Sequence, residues 1–527
     1  MRVALLSVML VVSAGVAIAQ PSDDGAGSGS GVDPGSGSDP GSGSATEAGS
    51  GSQTGSGSGS GSGSTAPVIV PVPPPPAPAA PSKDGFRFGS YGRVIAGSSL
   101  RGGKPEGIHV VAHGPRIVEP SYLELEMSYL FTKELAEHES VTLRPVITLA
   151  FDGTLFHDTG DFDAHPALRN MYLEATTASN LTLWAGSRMY RGDDIYLFDY
   201  WPLDDQNTVG GGASYHRRLT DDVDNSIELA GHVGWNRLND PFTYQTEQVP
   251  NPEQGAMTVV QLDRQRTVAS ATVAFVHELA GLRPNITKLR VKLHGELHAL
   301  PSGTSKRDDG TLEALPADSG YLVGAELSLF GLADPKSGYR RYVNLFTRYA
   351  KGLAAFDELA APTSLGPDLK TTRASELSFG VSAGFDAGFG NILLGALSRR
   401  FIDADQNAVD FDDGWEYALD ARPLANLSRG VFAGVDLSYQ ARFPRGLNPV
   451  TERAEDAAVF QIAPMLVYSP LGPSAYDRPQ LRLVYRAAHL DQGARDLYVP
   501  DDPRHAYAWV HFLGVEAEWW FNSSTHY

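Results

Sequence analysis

Residues 513–521 read LGVEAEWWF. Leu513, Val515, Ala517, Trp519 and Phe521 fall on one face of an extended chain, and Gly514, Glu516, Glu518 and Trp520 fall on the other. Alternation with a period of two marks a β-strand with two unlike faces. Moving back along the chain, the pattern recurs. Leu481, Leu483 and Tyr485 oppose Gln480, Arg482 and Arg486; Val435, Leu437, Tyr439 and Ala441 oppose Asp436, Ser438, Gln440 and Arg442. Near the other end Leu123, Leu125, Met127, Tyr129 and Phe131 oppose Tyr122, Glu124, Glu126 and Ser128. The first such segment, FRFGSYGRVIA from Phe86, sets Phe86, Phe88 and Val94 against Arg87, Tyr91 and Arg93. Between Gly85 and Phe521 no long stretch carries helical periodicity.

A water-soluble sandwich and a membrane barrel both have this period. Two features favour the barrel. The polar faces carry charges on strand after strand, which a wet lumen tolerates and a dry core does not. The apolar faces often end in aromatics, as at the girdles of a membrane barrel, and the final Trp519-Trp520-Phe521 looks like the aromatic-terminated last strand of outer-membrane proteins. The reading is all-β: a transmembrane antiparallel β-barrel of about 18 strands, occupying residues 85–527. An even strand number puts both ends of the barrel on one, periplasmic, side. The competing architecture is a secreted β-rich adhesin or enzyme.

The N-terminus fits export. Arg2 precedes an apolar run from Ala4 to Val12 and then Ala17-Ile18-Ala19, which together read as a signal peptide over residues 1–19. Residues 20–84 read as a disordered periplasmic linker: 21–64 are mostly Gly and Ser, and 67–81 (PVIVPVPPPPAPAAP) suit polyproline II. Beyond the leader no apolar run is long enough for a transmembrane helix, so a membrane location requires strands.

Composition narrows the chemistry. The formal net charge of −20 disfavours nucleic acid as a partner. With no cysteine there are no disulfides or thiolate sites. The 14 histidines show no HExxH spacing, and no P-loop occurs, so no cofactor and no enzyme site is expected. The acid pairs Asp193-Asp194 and Asp204-Asp205 lie in loop context rather than in an evident glycosidase cleft. Asp410, Asp412 and Asp413 could attract calcium but lack EF-hand spacing, so exposed loop acids are expected.

The most unusual stretch is 184–205, WAGSRMYRGDDIYLFDYWPLDD: a strand followed by a loop dense in rings and acids. Together with GSYGRVIAGS at 89–98, Arg116 through YLEL at 122–125, and LGVEAEWWF at the end, it resembles the maltoporin family of sugar-specific porins. The resemblance implies an 18-stranded homotrimeric channel set in outer-membrane lipids, inserted by the outer-membrane assembly machinery. It further implies that the loop after the fifth strand folds into the pore. Sugars would pass along an aromatic slide flanked by charged residues. Pyranose rings present C–H faces to aromatic rings and hydroxyl edges to acceptors and donors.

Carried over residue by residue, the slide falls on Tyr91, Tyr122, Trp201 and Trp520. The polar track falls on Arg93, Arg116, Glu124, Arg169, Asp194 and Asp199. The family's loop arginine falls on Gly192, with Arg191 beside it as the replacement. The aromatic of the third-last strand falls near Ala458, which interrupts the slide. Strict alternation with Tyr172 and Glu174 would turn Arg169 outward unless it sits at a strand end. Interface-belt aromatics and solvated lumen charges are the plain alternatives for each position. A general or ion-selective porin is the alternative for the whole.

Overall fold

The computed structural model describes residues 84–101, 103, 106–136, 139–152, 156, 166–220, 225–279, 287–332, 341–405 and 411–523. The expected signal peptide, the linker up to residue 83, and Asp410 lie outside the described residues.

Eighteen strands form one antiparallel sheet. In chain order they are β1 (Gly85–Ser99), β2 (Tyr122–Ala136), β3 (Glu139–Asp152), β4 (Pro166–Thr177), β5 (Leu181–Arg191) and β6 (Asp205–Arg218). Next come β7 (Ser226–Asn236), β8 (Arg266–Leu279), β9 (Thr287–Leu300), β10 (Asp318–Phe330), β11 (Tyr342–Gly352) and β12 (Ser375–Ala387). The last six are β13 (Gly390–Ile402), β14 (Gly414–Ser428), β15 (Val431–Pro444), β16 (Ala457–Tyr468), β17 (Gln480–Leu490) and β18 (Trp509–Phe521). Each strand pairs with its sequence neighbours, and β18 pairs back onto β1 from Ser90↔Phe521 to Ser99↔Phe512. The sheet is therefore a closed barrel, in which the strands leave no sheet edge.

The faces are inverted relative to a soluble protein. Met127, Tyr129, Leu481, Leu483, Leu513 and Val515 stand exposed, while Glu124, Glu126, Asp436, Gln440 and Glu518 are buried. Apolar residues face out toward lipid, and polar ones face a crowded lumen. Connections alternate in length. Turns such as 178–180, 388–389 and 429–430 close one end; long loops cluster at the other. Two loops carry small hairpins, Tyr244–Asn251 with Gly255–Asp263, and Gly303–Lys306 with Leu312–Leu315. Among the described residues no helix is long and apolar enough to cross a membrane.

The core lies inside the barrel, built from inward-folded loops. Ile195, Leu197, Phe198 and Tyr200 of loop 192–204 cluster with Ile108, Val110 and Val111 of loop 100–121. Both pack on Phe346 of β11, Leu393 and Leu397 of β13, and Ala418 of β14. Gln440 clamps the first loop by accepting from Val110 N (3.1 Å) and donating to Ile108 O (2.9 Å). At Gly380 of β12 a Cβ would lie 2.6 Å from Ile195 Cδ1, so the wall must be bare there for loop 192–204 to dock. Beside these loops a cavity runs along β4–β11 and reaches the β1–β18 seam.

Candidate functional site

Loop 192–204 is shaped by its own backbone. Ile195 N donates to Tyr200 O (2.8 Å), closing a tight turn over the single 3-10 turn Tyr196–Phe198. Asp199 then takes the left-handed conformation, φ 51° and ψ 42°, which Asp tolerates better than most residues. This reversal splits the loop. Ile195, Leu197 and Phe198 face the wall, while Asp193, Asp194, Asp199 and Trp201 face the cavity.

Two stems hold the loop. Lys292 of β9 contacts Asp193 (2.9 Å), Asp204 (3.4 Å) and Glu326 (3.2 Å), and Arg290 reaches Asp193 at 2.6 Å. Asp204 also meets His294 Nδ1 at 2.7 Å. On the far side, Arg93 and Arg116 approach Asp199 at 3.2 and 3.7 Å. Burial alone would raise the Asp193 and Asp199 carboxyls; these cations hold both below the ordinary Asp range. Asp194 differs. Its carboxylate Oδ1 accepts from the Tyr476 hydroxyl at 3.2 Å. Burial, reinforced by the Asp199 charge, pushes its carboxyl up to about 7.

The cavity beside the loop holds about 970 Å³. Seven of the sequence-derived residues line it: Tyr91, Arg116, Arg191, Asp194, Asp199, Trp201 and Trp520. Tyr91 and Trp520 are directly paired across the β1–β18 seam. The Arg191 guanidinium lies 3.7 Å from the Trp201 ring centroid, covering one face, and pairs with Asp205 at 3.1 Å.

The other four stand behind this layer. Tyr122 donates to Glu124 (2.6 Å), and Arg169 Nη1 pairs with the same carboxylate at 2.7 Å. Arg93 and Arg169 each lie 5.5 Å from the Tyr122 ring. Arg93 also binds Glu119 at 3.1 Å. The puzzle over Arg169 resolves through a β-bulge: Asn170 pairs with Thr148 and Leu168 with Leu149, so Arg169 is the extra residue and turns inward. Arg116 is not on the second strand, which begins at Tyr122; it sits in loop 100–121 and its N–H donates to Leu197 O (2.9 Å).

Sequence reading missed several lining groups: Asp193, Asp204, Arg290, Lys292, Tyr342, Tyr476, Arg478 and Glu518. Glu518, on the polar face of the last strand, binds Arg478 (3.0 Å), Arg482 (2.6 Å) and Arg116 (3.5 Å). Gly192 departs from the family arginine for a local reason. A Cβ there would meet Asp204 Oδ2 at 2.7 Å and Cβ at 2.9 Å, and Asp204 is pinned to β9. At the long-loop end Glu358 of loop 353–374 reaches across to Asn207 N (2.6 Å) and Asn236 Nδ2 (2.9 Å). Asp413 accepts from Asp403 N (2.7 Å) and so knits its own loop; among the described residues no acid or histidine group is arranged for a metal ion.

Among solved structures the chain is similar to the DcaP channel of Acinetobacter baumannii, with 10% identity, 83% of this chain and 96% of that one covered, and a TM-score of 0.39. OpdL of Pseudomonas aeruginosa matches with 11% identity over 83% and 99%, also at 0.39. OpdK of the same organism, solved with vanillate, matches with 10% identity over 83% and 98% at 0.36. No curated protein matches in sequence. A sequence model described as LamB porin matches residues 86–521, the whole of the barrel. With its closed 18-stranded sheet, outward apolar face and inward-folded third loop, the chain belongs to the LamB porin family of outer-membrane channels.

Proposed function

We propose that this porin is a passive diffusion channel for carbohydrates, maltodextrin-like or other oligosaccharides. One observation carries the reading: the lining charges of the cavity are largely cancelled and lie among aromatic rings. Arg116 pairs with Glu119 (2.8 Å), Arg191 with Asp205 (3.1 Å), Arg290 and Lys292 with Asp193 (2.6 and 2.9 Å), and Arg478 with Glu518 (3.0 Å). Around them stand Tyr91, Tyr196, Trp201, Tyr342, Tyr476 and Trp520. A cancelled charge lattice offers little net pull on an ion. It still offers donors and acceptors to hydroxyls and ring faces to C–H surfaces. Contacts that are weak and numerous let a solute enter and leave.

In this reading the residues touching solute are Tyr91, Arg116, Arg191, Asp194, Asp199, Trp201 and Trp520. Arg93, Tyr122, Glu124 and Arg169 hold them in place from behind. Residues 1–19 act as the export signal, the Gly/Ser- and Pro-rich extension as a periplasmic tether, and three copies assemble as in the family the chain resembles.

The test is ion current through the purified channel in a planar bilayer, titrated with a panel of sugars. Maltodextrins or related oligosaccharides should block the current in a saturable way. Free passage of small ions with no block by any sugar would make this a general porin.

A further inference from the structure

The connection 469–479 joins β16 to β17 at the short-turn end, yet it runs eleven residues where 388–389 and 429–430 take two. It does not project away from the barrel. Ser474, Ala475 and Arg478 are buried, and Ala475 joins the apolar cluster under loop 192–204. The turn is pinned on three sides. Arg478 pairs with Glu518 on β18 (3.0 Å) and donates to the Tyr196 hydroxyl of the pore loop. Asp477 Oδ2 accepts from Ser474 N (3.0 Å), and Gln480 Nε2 donates to Asp477 O (3.0 Å). This scaffold presents one aromatic ring, Tyr476, to the cavity, with 42% of its surface exposed.

Tyr476 sits between two other rings. Its centroid lies 6.4 Å from Trp520 on β18 and 6.2 Å from Tyr342 on β11, strands that stand seven apart around the sheet. Its hydroxyl reaches Asp194 of the pore loop.

Resting on the carbohydrate reading above, we propose that Tyr476 is a specificity-determining residue of the channel. With turn 469–479 it forms a second constriction beside loop 192–204, continuing the aromatic path from Trp520 to Tyr342. A solute passing there stacks on the Tyr476 ring and places a hydroxyl where the phenol now donates to Asp194. The pore thus narrows past a loop from one rim and a turn from the other, which meet at Asp194 and Tyr476.

The experiment compares wild type, Tyr476→Ala and Tyr476→Phe in planar bilayers, reading single-channel conductance in KCl and current block by maltotriose. Unheated migration in detergent gels like that of wild type establishes that each variant is folded. Tyr476→Ala should raise conductance measurably and weaken maltotriose block about tenfold, by analogy with the loss of one stacking partner. Tyr476→Phe, which keeps the ring and loses the hydroxyl, should hold block within about threefold of wild type. Wild-type conductance in folded Tyr476→Ala overturns the second constriction, and equal loss of block in Ala and Phe variants overturns the stacking role. A wild-type channel that maltotriose and longer oligosaccharides leave unblocked overturns the carbohydrate reading instead. A conductance rise in Tyr476→Ala then still supports the constriction.

Discussion

At the scale of single residues, Trp201 and Asp194 carry the sharpest expectations. Trp201 is 5% exposed, with Arg191 over one face, so on the proposed carbohydrate reading a sugar would meet what remains of its ring. Trp201→Ala should weaken sugar block by about 1–3 kcal/mol, judged from base–aromatic stacking, and Trp201→Phe by less. Titration of current block with maltotriose checks both. Asp194 should make conduction depend on pH. A carboxyl whose value has been pushed up to about 7 is neutral below that pH and charged above it. The proton it retains favours the folded loop at low pH, and that contribution is lost as pH rises through about 7. Cation preference, read from reversal potentials in a KCl gradient, should therefore increase as pH passes upward through neutrality. Asp194→Asn should flatten that step. Arg169 shows why residue roles are only partly legible in sequence. Alternation is a two-state rule, and one bulged residue reverses its answer without leaving any mark in composition.

At the scale of elements, the sequence speaks unevenly. The strands were legible because period two repeats over many residues, and loop 192–204 stood out because rings and acids crowd a segment with no alternation. The inward fold of loop 100–121 had a weaker signal, the apolar Ile108, Val110, Val111, Ile117 and Val118 in a connection that should be polar. Turn 469–479 had none, since what positions it is Glu518 and Tyr196, far away in sequence. The latch on loop 192–204 was equally hidden: Lys292 alternates normally on β9, and its partners come from two other elements. Lys292→Ala leaves Asp204 and Glu326 with one cationic neighbour fewer in a largely buried cluster. It should lower stability by about 3 kcal/mol, the lower end for breaking a buried pair, because Arg290 still serves Asp193 and Glu326. The measurement is the temperature at which the unheated gel form converts to the heated one. An unchanged transition would show that the latch contributes little.

For the whole molecule, the inverted surface makes the strongest demand. Val515 is 54% exposed on the outward face of β18. Val515→Arg should cost about 2–4 kcal/mol at the bilayer midplane and less near an interface, because lipid cannot solvate the charge. Equilibrium unfolding in liposomes checks it, with Val515→Leu as the neutral control. Heat-modifiable migration in detergent should accompany every folded form.

The pairing of β18 with β1 has a consequence for how the molecule comes into being. Residues 90–99 meet 512–521, so the seam joins segments more than four hundred positions apart. Local hairpins can form early, but this contact carries the largest chain-closure entropy of any in the sheet. Tyr91 and Trp520, facing each other across that seam, become neighbours only when the ring shuts. The permeation path is thus completed in the last act of assembly, and a nascent barrel stays a gutter, without a working channel, until its final strand arrives.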